Sequence, residues 1–464
     1  MKNQTSSDRV LHAPAATSGA AQGLPRKPDS ALSRVAEEAY VYGYPLMLMD
    51  LTARTATNVE APSLFRAPFN QFAVVDQLPD ANFNFVVLPN VDTLYTSAML
   101  DLSEQPIVLH VPDTQGRYYL MPMLSAHTDV FASPGARTTG TGELTVAIVG
   151  PQFGGAVPAS MQRIAAPSNL VWLLGRTQIN GAADLEAVRA LTERYTLTPL
   201  SRYGAGYIPP RNEAIDRDID MKTPPPDVLA RLSDHEYFTR LASLLAKYPP
   251  PAQDQAALKR FAALGLAPGR FEPPAQARHA LDGASKRALQ RILGHTASIG
   301  ERKNGWNIDL RAGAYGTNYL DRATIARCAL GANLPEDAIY PSTAVDADGQ
   351  PLDSSGDNRY VIHFEAGQEP PARAFWSLTL YNSAGYLVDN ELDRYAIGSR
   401  DDLKRNPDGS LDLFIQREKP EAERVSQWLP APVGTFQLLL RVYWPRAELV
   451  EGRWRPPAVR LISD

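Results

Sequence analysis

Phe436-Gln-Leu-Leu-Leu-Arg-Val-Tyr-Trp444 decides the class of the fold. In an extended chain Phe436, Leu438, Leu440, Val442 and Trp444 fall on one face, while Gln437, Arg441 and Tyr443 share the other with Leu439. A period of two marks a strand with one side in a core. Segments of the same kind precede it at 360–365, 375–381 and 411–416, the last following the turn Asn406-Pro-Asp-Gly409. Further upstream, 107–111, 118–123, 144–149 and 170–174 read as short strands separated by Pro-Asp, Pro-Gly and Gly-Thr-Gly signals. Such spacing without intervening helices points to antiparallel sandwiches or barrels.

Helical periodicity fills the region between. Leu185, Val188, Leu191 and Tyr195 share a helical face, and Pro224 opens a helix predicted to reach Tyr248. Further helices are predicted over 254–264, 275–299 and 318–330. One more starts behind an Asp29 N-cap, with Leu32, Val35, Ala39 and Tyr40 in register until Gly43 and Pro45 interrupt it. The expected architecture is therefore mainly β with α: two jelly-roll-like antiparallel β-sandwiches joined by a helical middle region. The expected boundaries are 1–28 for a disordered leader, 29–180 for the N-terminal helix plus first sandwich, 181–335 for the helical middle and 336–464 for the second sandwich.

Composition narrows the function classes. The 464 residues carry a formal charge of -5, with 44% hydrophobic and 21% charged residues, as in a soluble globular protein. No Lys/Arg-rich block supplies the footprint that nucleic acid requires. No apolar run reaches the roughly 18 residues of a membrane span, and the first 28 residues lack the apolar stretch of a secretory signal. A cytoplasmic location without membrane or nucleic-acid partners is expected. The single cysteine, Cys328, excludes an internal disulfide and reads as a packed thiol.

Polar residues concentrate in two places. An apolar strand at 84–88 is expected to break at Pro89 into Asn90, Asp92, Thr93 and Tyr95. Asp92 suits a base or ligand and Tyr95 a group that orients a substrate oxygen; an Asx turn is the structural alternative. The second place holds Tyr119 and, beyond it, His127 and Asp129. Two apart on a strand, His127 and Asp129 would share a face, the carboxylate setting the imidazole's tautomer. Arg117, Arg137 and Arg176 flank strands and suit carboxylate clamping. Trp306 and Tyr315 join rings to Gly-containing loops, as substrate platforms do. No HxH, HExxH, P-loop, GxGxxG or GxSxG motif occurs, so no nucleotide cofactor is expected. A single metal on His127, Asp129 and a distant third ligand remains allowed.

Several motifs together resemble a known pair of bacterial domains. Ala39-Tyr-Val-Tyr-Gly-Tyr-Pro45, Pro89-Asn-Val-Asp-Thr-Leu-Tyr95, Val111-Pro-Asp-Thr-Gln-Gly-Arg-Tyr-Tyr-Leu120 and Ser133-Pro-Gly-Ala-Arg-Thr-Thr-Gly-Thr-Gly142 resemble domain of unknown function 1254. Ala374-Phe-Trp-Ser-Leu-Thr-Leu-Tyr-Asn382, Asn390-Glu-Leu-Asp-Arg-Tyr-Ala396, Trp428-Leu-Pro-Ala-Pro432 and Tyr443-Trp-Pro445 resemble domain of unknown function 1214. The resemblance implies two sandwiches similar to the double jelly roll of large DNA-virus capsid proteins, and a homo-oligomer. It implies no settled reaction. Where this chain has His127, similar proteins commonly carry Trp or another apolar residue.

The reading that follows is an enzyme acting on a small organic molecule by hydrolysis or elimination, in a cleft beside the first sandwich. His127 would be the acid/base, Asp129 its orienter, and Asp92 and Tyr95 would position the substrate. A non-catalytic ligand- or carbohydrate-binding or capsid-like assembly protein is the alternative. A metal-dependent oxidoreductase is the third.

Overall fold

The alternating segment forms the strand Phe436–Pro445, paired antiparallel with Ala372–Asn382. Phe436, Leu438, Leu440 and Val442 enter a core with Leu378, Leu380, Leu413 and Ile415. Each fully buried side chain of this kind contributes about 2 kcal/mol. Trp444 leaves the alternation at φ 48° and packs near Tyr118 and Phe375 instead. The computed structural model describes residues 31–75, 77–84 and 86–462. The expected leader and the Asp29 cap lie outside them.

Two jelly-roll-like sandwiches and a helical region make up the described chain. In the second sandwich a seven-stranded sheet built on Ala372–Asn382 and Phe436–Pro445 packs on a four-stranded sheet containing Tyr360–Phe364 and Leu411–Gln416. In the first, a six-stranded sheet centred on Thr93–Asp101 and Leu170–Gln178 packs on four strands including Ile107–Val111 and Leu144–Val149. Thr196–Pro199 pairs with Ile107–Val111, so the first sandwich reaches past residue 180. Glu301–Lys303 and Trp306–Ile308 likewise join the second sandwich from within the expected helical middle.

The helix Ala31–Thr57 continues through Gly43 and Pro45, where the sequence pattern stops. Every residue from 39 to 51 is buried. A helix apolar on all sides has no single face to read, and burial offsets the roughly 3 kcal/mol that an interior proline costs. Its neighbours are the helices Pro225–Arg231, Asp234–Lys247, Ala275–Leu281, Ala284–His295 and Tyr319–Ala329. It is therefore the hub of the helical region, and Met99, Leu124 and Leu170 of the first sandwich pack in the same cluster. The predicted helix from Pro224 to Tyr248 is two helices. Ser233 ends the first stretch by capping the second, with Glu236 reaching back in a capping box. Cys328 is exposed, contrary to the packed thiol expected.

The arrangement that matters for function is the meeting of the two large sheets. Asn90, Tyr95 and Arg176 of the first half face Ser377, Tyr381, Arg441 and Tyr443 of the second across hydrogen bonds and ring contacts. The polar face of the opening segment is thus buried against another sheet.

Candidate functional site

No strand forms at 86–92; the strand begins at Thr93, after the polar turn instead of before it. Leu88 at φ 52° turns the chain, and the Asn90 side-chain Oδ1 accepts from Asp92 N (2.8 Å), closing an Asx turn. Tyr95 then lies directly opposite Arg176 on the neighbouring strand, so both project from one face. The Arg176 guanidinium stands 5.2 Å from the Tyr95 ring centroid.

Asn90 links the two sandwiches. Its Nδ2 lies 2.8 Å from Tyr443 Oη, 3.3 Å from Tyr95 Oη and 3.0 Å from Thr93 Oγ1, two hydrogens shared among three acceptors. Arg176 donates to Asn333 Oδ1 (2.5 Å) and to the Gly331 carbonyl (2.9 Å), and Asn333 Nδ2 donates to Tyr340 Oη (2.5 Å). Arg441 donates to Thr379 Oγ1 and Tyr381 Oη (both 2.7 Å) and to the Leu88 carbonyl (3.0 Å). Tyr381 in turn donates to the Pro89 carbonyl (2.6 Å). Asp92 is buried and accepts from Ser377 and Arg400. These last three residues sit on the wall of a cleft of about 840 Å3 between the halves, which Asn180, Asp389 and Tyr395 also line.

Arg176 and Arg441 are both buried, and among the described residues neither forms an ion pair with a carboxylate. Buried charge of this sort needs a counterpart. The phenols respond in opposite directions. Burial alone would push Tyr95 up, but Arg176, the Asn90 amide and Arg441 outweigh it and hold the phenol below its ordinary value. Burial, with Tyr340 and Asp92 nearby, pushes Tyr443 well above its ordinary value. Tyr340 is pushed up to about 12, chiefly by burial.

The other expected site residues are placed elsewhere. His127 and Asp129 lie on a turn around Thr128 at φ 73°, not on a strand, and no hydrogen bond joins them. His127 is buried with Nε2 3.3 Å from the Tyr248 carbonyl. Asp129 accepts from Tyr315 N (3.1 Å) and sits 3.4 Å from Arg322. Asp92 has its partners on the second sandwich, so it joins the Asn90 cluster and not the histidine. Tyr119 points into the first sandwich core; its neighbour Tyr118 faces the interface, against Phe375 and Tyr443. Arg137 pairs with Asp337 (2.6 Å) and Arg117 with Asp184 (2.5 Å), both as structural ties. Trp306 lies in the second core with Nε1 donating to the Pro457 carbonyl (2.8 Å). Among the described residues no three His, Cys, Asp or Glu side chains gather as metal ligands, so His127 and Asp129 find no third donor there. Asn333, Tyr340, Ser377, Arg400, Arg441 and Tyr443 are site residues that motif reading passed over. Ser377 and Tyr443 lie in the motifs Ala374–Asn382 and Tyr443–Pro445 without a site role having been read there, and the polar alternation of 437, 441 and 443 was the trace left by Arg441 and Tyr443.

Comparisons with known proteins agree with this layout. The family model described as protein of unknown function (DUF1254) matches residues 69–199, and that described as DUF1214 matches 337–447. Asn90, Tyr95 and Arg176 fall in the first match and Tyr340, Ser377, Arg441 and Tyr443 in the second. The VPA0106 protein from Vibrio parahaemolyticus has the same fold, with a TM-score of 0.73 at 21% identity over 93% of this chain and 100% of its own. An uncharacterised protein from Burkholderia cenocepacia aligns over 93% of this chain and 94% of its own at a TM-score of 0.43 and 12% identity. No functionally curated protein matches the chain. Among the described residues no helix is long and apolar enough to cross a membrane.

Proposed function

We propose, for a chain that belongs to the two-domain family joining DUF1254 to DUF1214, a small-molecule enzyme that works by general acid–base chemistry between its two sandwiches. Tyr95 is the base and Tyr443 the acid. The observation that carries this reading is the Asn90 amide, which lies within hydrogen-bond reach of both phenol oxygens while Arg176 stands directly across the sheet from only one of them. Two like groups on one anchor, with surroundings that push their proton affinities apart, form the pattern of an acid/base pair. Elimination or hydrolysis fits, because each needs a proton taken in one step and another delivered in the next. Asp92 orients: its carboxylate is occupied by Ser377 and Arg400, which fixes the turn that presents Asn90.

Ultraviolet titration of the folded protein tests the assignment without a substrate. One tyrosine should ionise below the ordinary value of about 10. Tyr95→Phe should remove that step and Tyr443→Phe should leave it. Superimposable curves for wild type and Tyr95→Phe would refute the assignment. Once a substrate is found, Tyr95→Phe should lower turnover by roughly a hundredfold or more.

A further inference from the structure

A second cleft, of about 520 Å3, opens between the helical region and the first sandwich, and none of the acid–base residues lines it. Its walls come from separate stretches of chain. Asp50 and Arg54 stand one turn apart on the helix Ala31–Thr57. Phe69 and Gln71 precede the edge strand Ala73–Val74, and Tyr248 follows the helix Asp234–Lys247. Pro210 belongs to a segment, 203–223, that holds neither helix nor strand. Two side chains in this wall are buried yet incompletely bonded. Asp50, 3% exposed, receives Arg54 Nε (2.9 Å) and Arg240 Nη2 (2.6 Å) on the same oxygen, Oδ2. Among the described residues its Oδ1 has no partner. Gln71, 7% exposed, donates from Nε2 to the Pro210 carbonyl (2.8 Å), which leaves Oε1 without a partner there as well. The outer guanidinium nitrogens of Arg54 are likewise unused among the described residues. Buried polar atoms are ordinarily matched within the protein. Here two acceptors and a forked donor share one cleft instead, beside a Phe69 ring that is 40% exposed.

We infer that this cleft is a carbohydrate site, taking a neutral mono- or disaccharide whose hydroxyls meet Asp50, Gln71 and Arg54 while its ring lies against Phe69. A sugar hydroxyl both donates and accepts, so neighbouring hydroxyls on one ring satisfy carboxylate and amide oxygens and guanidinium N–H groups together. Bonds to the charged Asp50 and Arg54 are of the stronger kind. The two arginines on Oδ2 and the Pro210 carbonyl on Gln71 fix both side chains before a ligand arrives, which lowers the ordering cost of binding. The C–H face of a pyranose is the apolar counterpart of an exposed aromatic ring. Charge argues for a neutral ligand. Asp50 is held by Arg54 and Arg240, Arg211 by Glu60, and the remaining lining pair, Asp216 and Lys247, is of opposite sign. A purely apolar ligand would leave Asp50 and Gln71 unmatched. The volume lies within the roughly 300–1,000 Å3 of small-molecule sites. The site stands whether or not Tyr95 acts as a base.

Saturation-transfer NMR titration of the full chain with the methyl glycosides of glucose, galactose, mannose and xylose tests the assignment. Glucuronate, glucosamine and cyclohexanol serve as the anionic, cationic and hydroxyl-poor counterparts. At least one neutral glycoside should bind saturably, with the strongest transfer to its ring C–H protons. Phe69→Ala, at an exposed position, should weaken that binding roughly tenfold. Gln71→Met keeps the side-chain length and removes the acceptor, and should weaken it roughly fivefold. Both variants should keep the wild-type unfolding midpoint to within a few degrees, about the shift that 1 kcal/mol produces. Absence of binding by all four glycosides would overturn the inference. So would unchanged affinity in Phe69→Ala, or tighter binding of glucuronate, glucosamine or cyclohexanol than of every neutral glycoside.

Discussion

His127 gives its ring to the helical region, where burial, and then Arg322, push its pKa from 6.5 down to about 4. It is therefore a neutral packing group at physiological pH, and the consequence appears in stability. Between pH 6.5 and 4 the unfolded chain binds a proton at this position that the folded chain refuses. Stability then rises with pH across that window and is lost as pH falls through it, by up to about 3 kcal/mol. His127→Gln keeps a donor for the Tyr248 carbonyl and cannot titrate, so its urea midpoint should vary less between pH 4 and 6.5. An unchanged acid limb would show that other groups govern it. Asp92 has the opposite character, a buried carboxylate with Arg400 and Ser377 both committed to it. Asp92→Asn should cost about 3 kcal/mol in urea denaturation, because it leaves the Arg400 charge without its partner; Ser377→Ala should cost only about 1 kcal/mol.

At the level of elements, the strands were legible where turn signals bounded an apolar run or where one face alternated with the other. The strands Ile107–Val111 and Leu144–Val149 fall where turn signals bound short apolar runs, and Leu411–Gln416 follows the Asn406–Gly409 turn as expected. Thr93–Asp101 was hidden because it is covered on both sides, so Thr93, Leu94, Thr96, Ala98 and Met99 are all buried and no alternation shows. The helix Ala31–Thr57 was cut short for the same reason. Local geometry also misled at His127–Asp129, where one residue at positive φ turns a presumed strand into a turn. Of the site, the Asn90–Tyr95 turn was legible from its density of polar groups. Its partners were not, because Tyr340, Arg441 and Tyr443 arrive from roughly 250 to 350 residues away through sheet pairing that no local pattern encodes. One short element is decisive for bringing them in. Ala396–Gly398 pairs with Ser377–Thr379 and leads directly to Arg400. A Cβ on Gly398 would sit 2.1 Å from the Trp376 carbonyl oxygen and 2.7 Å from Ser377 Cα, backbone that cannot yield. Gly398→Ala should therefore cost about 1–3 kcal/mol and shift Arg400 off Asp92. Gly356→Ala, with nothing within 4 Å, is the control and should be close to neutral. Equal chemical-denaturation midpoints for the two would contradict the close approach.

Across the whole molecule, arginines tie the first sandwich to the rest. Arg137 reaches Asp337, Arg176 reaches Gly331 and Asn333, Arg322 approaches Asp129, Arg400 holds Asp92, and Arg441 donates to the Leu88 carbonyl. Separate domains in one chain ordinarily move and melt independently unless the surface between them is large and well packed. Here the surface is packed by Tyr118, Phe375 and Tyr443 at 4.4–6.0 Å between ring centroids, and the buried Arg176 and Arg441 have no water to return to while both halves stay folded. If one sandwich unfolded alone, the other would be left with buried guanidinium donors facing missing acceptors, at several kcal/mol each. The coupling predicts a single calorimetric transition, with calorimetric and van't Hoff enthalpies in agreement. Arg441→Met should uncouple the halves, because it removes the donors to Leu88 and Tyr381 while retaining much of the side-chain volume, and a second transition should appear below the first. Two transitions already present in the wild-type chain would mean that the interface holds the site together only loosely, and that catalysis there would require a closing motion.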